Sequence, residues 1–262
     1  MKNSIEFSFT RMVHVADWYA STYKSDWIKS FFIYYFVLSV VYLISSYFSG
    51  SAALPYQVVI AALMLTFIFM VQPSKVLSFF RTRQQRMDLL MLPASQLEKF
   101  VVVYLFSGVG MLLLAFLAIF LADATKVAVS YLFHWDNAEW MMTWLGSQMH
   151  DKSYQAMGNT WLANMLCIWL HSLFLLGGVL FRRYAWIITT LLVAGFVLLG
   201  AWLSIEVFQW VISEGYYIEI TNITALLVSV TVLLALLTIV NFVVSYILFC
   251  RMQVVGRKWC NC

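Results

Sequence analysis

Long apolar runs alternate with short polar breaks along this chain. Six runs are long enough to cross a bilayer core as helix, which takes about 20 residues. They are Phe31–Phe48, Ala52–Val71, Phe100–Ala122, Trp161–Phe181, Tyr184–Ile205 and Thr221–Phe249. Strand-like alternation of polar and apolar positions is absent, so a β-barrel is not expected. Lipid demands that backbone groups pair within each span, which leaves helices. The pattern therefore predicts an all-α, polytopic protein with six transmembrane helices.

The residues before the first run follow a different rhythm. Phe9, Met12, Val13, Ala16, Tyr19, Ala20 and Tyr23 recur at steps of three and four, with Arg11, His14, Asp17, Ser21 and Lys24 opposite. Residues 1–30 thus predict an amphipathic helix that lies in the headgroup layer or packs on neighbouring protein. Trp18 and Trp27 fit as interfacial anchors. Either arrangement makes the helix a lever leading into the first span. The transmembrane domain then covers 31–250, and a short tail follows at 251–262.

The breaks differ in character. Ser49-Gly50-Ser51, with Pro55 behind it, makes a tight uncharged hairpin between the first two runs. The segment 73–99 is charged and helix-prone. Pro73 disfavours helix in the residue before it and ends the second run. Lys75 to Leu92 has helical composition, and Pro93 breaks it. Ser95 with Glu98 three residues on forms a capping box that starts the third span. The segments 123–160 and 206–220 predict surface structure: one or two amphipathic helices in the first, and a short re-entrant or interfacial hairpin around Gly215 in the second.

Composition agrees with a lipid solvent. The chain is 63% hydrophobic, 18% aromatic and only 11% charged, against about 25% charged in soluble domains. The net charge of +4 matters less than where the charges lie. Fourteen of the sixteen Lys and Arg fall in the N-terminal segment, the second loop, the pair Arg182-Arg183 and the tail; Lys126 and Lys152 alone fall on the other side. The positive-inside rule places both termini in the cytoplasm. No cleavable signal peptide is expected, since the first thirty residues are polar. Cys167, Cys250, Cys260 and Cys262 form no disulfide framework, and the closing Cys-Asn-Cys predicts either a frayed tail or a soft-metal site.

Candidate chemistry is sparse. The chain has no phosphate-binding Gly-x-x-x-x-Gly-Lys-Ser/Thr cradle, no His-Glu-x-x-His zinc helix and no Gly-x-Ser-x-Gly elbow. Within the spans, Asn164 and His171 share a face, and Asn241 lies near Thr238. These polar groups either line a translocation path or hydrogen-bond between helices. His134, Asp136, Glu139, His150 and Asp151 match no standard metal site. Ser107, Gly108, Gly110, Gly177, Gly178, Gly195, Gly200 and Ser204 are small-residue notches where helices can approach closely, and Gly200 with Ser204 could form a dimer face or pack within the monomer.

The elbow Met91 to Phe100, MLPASQLEKF, resembles an element of ABC transporter permeases of the exporter-type class-2 family, which often carry Leu-Pro-x-Ser/Thr before the third span. The likeness extends to permease-like membrane proteins of Bacteroidetes bacteria. Six spans, internal termini, the amphipathic N-terminal helix and a helical second loop are also similar. The resemblance implies a permease subunit in the bacterial inner membrane, working as a homodimer or heterodimer with a separate ATPase subunit. Lys75, Arg81, Arg83 and Arg86 would dock on that subunit, and Pro93, Ser95 and Glu98 would transmit its motion. ATP and Mg would bind the partner, with no cofactor on this chain. It implies no nucleic-acid partner and no catalytic residue here. The external loop 123–160 is longer than in the simplest members. Two other functions fit the residues: a scaffold that binds partners through its aromatic external loops, and a lipid-directed enzyme built on His171 or the external His/Asp residues.

Overall fold

A computed structural model describes residues 7–75, 83–135, 139–149, 160–181, 184–213 and 223–251. The described residues are helical with no strand. Among the described residues six helices are long and apolar enough to cross a membrane: Phe9–Ser49, Ala53–Lys75, Gln96–Leu132, Trp161–Leu180, Ala185–Glu206 and Leu227–Cys250. The chain is a multi-pass membrane protein. Its contacts divide it into two units, Met1–Gln72 with Leu92–Thr160, and Pro73–Met91 with Trp161–Cys262.

The first unit is organised by its longest helix. α1 runs from Phe9 to Ser49 without interruption, so the amphipathic segment and the first span are one rod. No Gly or Pro lies between them to break the ladder. At 1.5 Å per residue its 41 residues extend about 60 Å, twice a hydrocarbon core of about 30 Å. The face predicted to be apolar is packed on protein for part of its length: Tyr19 and Tyr23 are buried, while Phe9 and Val13 are exposed. α1 ends at Gly50, whose positive φ of 52° suits a residue without a side chain. α2 (Ala53–Val71) follows directly.

The third span begins as α4 (Gln96–Tyr104), passes through a six-residue π-helical segment, Leu105–Gly110, and continues as α5 (Met111–Leu132). It lies parallel to α1 with a nearly constant sequence offset. Arg11 meets Glu98, Tyr19 stacks near Phe106 at 5.2 Å between ring centroids, and Ser39 meets Thr125. Trp27 packs against Phe106 and over Gly110, where a Cβ would come within 2.9 Å of the indole. Single π turns inside α-helices are rare and concentrate at functional sites.

The apolar run weakens at Ala122, where a loop was expected, yet α5 continues to Leu132. The charges at Asp123 and Lys126 do not stop it because they neutralise each other inside the bundle. The helix stops where His134 takes a left-handed φ of 54° and the Trp135 N–H bonds the Ser130 carbonyl at 2.9 Å. That is the usual way a helix terminates with its last carbonyls satisfied. α6 (Met141–Met149) follows, in keeping with a helix in this segment. Leu38, Tyr42, Ala61, Ile119, Ala122 and Met141 form the core here.

In the second unit, α3 (Arg83–Met91) belongs with α7 (Thr160–Leu180), α8 (Ala185–Ser213) and α9 (Ile223–Cys250). α8 runs past Ile205, where the fifth span was expected to end, to Ser213. The hairpin expected around Gly215 lies outside the described residues. Gly177 and Gly178 are close-approach positions, as expected. A Cβ at Gly177 would overlap the Thr189 side chain, and one at Gly178 would lie 2.6 Å from the Ser74 backbone. Gly195 and Gly200 meet nothing within 4 Å, and almost none of the apolar window of α8 is buried in the protein.

Candidate functional site

The elbow is built from the break at Pro93 outward. The Ala94 N–H bonds the Leu92 carbonyl at 2.8 Å, making a three-residue turn centred on Pro93. Pro93 supplies a fixed φ and no donor, which suits that position. Ser95 then caps α4. Its hydroxyl accepts the Glu98 N–H at 3.2 Å, and its own N–H donates to Glu98 Oε2 at 2.8 Å. The predicted capping box is therefore formed.

Glu98 does more than cap its own helix. It is fully buried, and its second oxygen, Oε1, accepts the Ser8 N–H at 2.7 Å and the Arg11 guanidinium at 3.3 Å. Ser8 is the N-cap residue of α1 and makes no side-chain cap of its own. One carboxylate thus sits at the positive ends of two parallel helices, where a negative charge is favoured. Nothing in local spacing announces this, since the partners are ninety residues apart.

The remaining elbow candidates are placed as follows. Lys75 ends a 3-10 turn, Gln72–Lys75, that follows α2. Arg83 opens α3 and Arg86 lies within it. Arg81 lies outside the described residues. The chain passes between its two units at Gln72-Pro73, at Met91-Leu92 and at Thr160-Trp161, so Pro73 sits at the first crossing and Pro93 just past the second.

The polar candidates within the spans are not gathered into one site. His171 is buried and Asn164 is exposed. Asn241 donates through Nδ2 to Ser172 Oγ at 3.0 Å, joining α9 to α7. That is interhelical hydrogen bonding, with Ser172 as the partner the sequence did not indicate. The His171 ring lies 6.4 Å from that of Phe242. Among the described residues no group of His, Cys, Asp and Glu could hold a metal; Asp136, His150, Asp151 and the Cys-Asn-Cys tail lie outside them.

The densest polar cluster among the described residues lies at Asp123 and Lys126, charges that the sequence pattern assigns to a surface loop. Asp123 Oδ1 lies 2.7 Å from Lys126 Nζ, with both side chains buried. Lys126 also donates to the Glu139 carbonyl at 3.0 Å and to Gln57 Oε1 at 3.4 Å. Asp123 Oδ2 accepts the Met141 N–H at 2.9 Å, at the start of α6. Gln57 in turn donates to Ser45, Ser46 and the Tyr42 carbonyl. The network joins α1, α2, α5 and α6 and pins residues 139–141 onto the bundle. Opposite charges at i and i+3 within a run that stays apolar to Leu132 were the available signal.

No family model matches this sequence, and no curated protein or solved structure is similar enough to count as a match.

Proposed function

We propose that this chain is the permease subunit of an ABC-type exporter, driven by a separate ATPase subunit. The supporting observation is the placement of the loop between spans two and three. Its residues Pro73–Met91 belong to the same unit as the last three spans, although the chain enters and leaves them from the first unit. A partner that moved α3 would act on the second unit by packing and on the third span through the Pro93 turn. The capping box and the Glu98 lock make the receiving end stiff, as transmission requires. Arg81, Arg83 and Arg86 would meet acidic groups on the ATPase, which would carry ATP and Mg. Both termini and this loop would then be cytoplasmic. The open face of Gly200 and Ser204 supports pairing with a second permease.

Co-purification with an ATPase subunit tests the reading. Arg83→Glu with Arg86→Glu should abolish both complex formation and stimulation of ATP hydrolysis; retention of both would overturn it.

One observation favours a scaffold instead. Tyr47 and Phe133 are exposed and each packs on Trp135, at 5.7 and 5.9 Å between ring centroids. The network around Lys126 holds this surface still, as a partner-binding face would need. A protein that captures a partner through this face and stimulates no ATPase would support that second reading.

A further inference from the structure

A groove of about 760 Å³ runs between α1 and α5 in the first unit. Its lining is sorted by polarity along α1. Asp17, Lys24 and Phe31 line it at intervals of seven residues, which places them on one helix face at steps of about 10 Å. Trp27 lies between Lys24 and Phe31, and Phe32, Leu114 and Leu117 complete the apolar end. From the apolar end outward, the order is hydrocarbon wall, cation, anion.

Neither Asp17 nor Lys24 makes an ion pair among the described residues, whereas the nearby Lys29 pairs with Asp26 at 3.9 Å. The groove also sits where α1 passes from charged residues to the uninterrupted apolar run that starts at Phe31. That boundary is where lipid headgroups meet a membrane helix.

We infer that this groove binds a bilayer phospholipid whose headgroup ends in a primary ammonium, of the phosphatidylethanolamine type. Its acyl chain lies along Phe31, Phe32, Leu114 and Leu117. Its phosphate meets Lys24, and its terminal ammonium meets Asp17. The charge order of the headgroup matches the charge order of the helix. A phosphatidylglycerol satisfies Lys24 but leaves the Asp17 carboxylate without a counter-charge. A phosphatidylcholine carries a cation but no N–H to donate, so it forfeits the charge-assisted hydrogen bond. This inference does not depend on an ATPase partner.

The test uses the full chain in detergent micelles, with lipid binding followed by native mass spectrometry and by lipid-dependent thermal shift. Phosphatidylethanolamine, phosphatidylcholine and phosphatidylglycerol of matched acyl chains are titrated separately. The ethanolamine lipid should bind roughly tenfold tighter than the glycerol lipid, the factor that about 1.4 kcal/mol supplies. Asp17→Asn should erase that preference while leaving lipid-free stability unchanged, since the side chain is exposed. Lys24→Gln should weaken all three lipids. Leu117→Trp should block binding by filling the apolar end without touching either charge. Equal affinity for ethanolamine and glycerol lipids in the wild type, or a preference that survives Asp17→Asn, would overturn the inference.

Discussion

The backbone N–H of Ser8 donates to Glu98 Oε1 at 2.7 Å, so the N-cap of the first helix is supplied by the first turn of the third span. The same carboxylate closes the capping box with Ser95. Two helix starts therefore share one buried anion. Glu98→Ala should destabilise the protein by about 1–3 kcal/mol, because it removes the acceptor of half-buried N–H donors at both helix starts. Arg11→Ala should cost no more than about 1 kcal/mol, as its side chain is partly exposed. Thermal unfolding in detergent, with limited proteolysis ahead of Val15, separates the two; equal losses would show that the ion pair outweighs the caps.

The Asp123–Lys126 pair makes a sharper prediction. Lys126→Met strands a buried carboxylate and should cost about 3–5 kcal/mol. Combining it with Asp123→Leu should recover most of the stability, since well-packed apolar residues often replace a buried pair without loss. A double variant as unstable as the single one would mean that the hydrogen bonds to Glu139 and Met141 matter more than the charges.

Glycines that look alike in sequence should behave differently. Gly178→Ala pushes a methyl group to within 2.6 Å of the Ser74 backbone and should destabilise by about 1–3 kcal/mol, the range for overpacking. Gly195→Ala meets open space and should be neutral or slightly stabilising, since helix interiors favour Ala over Gly by roughly 0.5–1 kcal/mol. Melting temperatures measured side by side decide the matter.

The exposed face of α8 can be examined in native membranes. If two permeases pair through Gly200 and Ser204, Ser204→Cys should form an intermolecular disulfide under mild oxidation. Leu198→Cys, on the opposite face, should not. Crosslinking at neither position, or at both alike, would rule out this face as the contact.

Six spans were legible because lipid imposes one strong rule on composition and length. The elbow was legible because Ser95 and Glu98 act within one helical turn. What escaped notice depends on partners far away in sequence. Asp123 and Lys126 look like loop charges until Gln57 and the Glu139 carbonyl are seen around them. The rod from Phe9 to Ser49 looked like two elements because its polarity changes near Ser30, although its backbone has no reason to break there. The parallel register of α1 with the third span has no local signature. It rests on single contacts such as Trp27 over Gly110 and Ser39 beside Thr125.

The shared carboxylate also orders events in time. α1 leaves the ribosome some ninety residues before Glu98 does, and its own N-cap serine supplies no substitute. Until the third span has entered the bilayer, the leading N–H of the first helix lacks this carboxylate and is met by water or headgroup oxygens instead. Assembly of this half of the protein is then latched late, by a residue that arrives after the helix it secures.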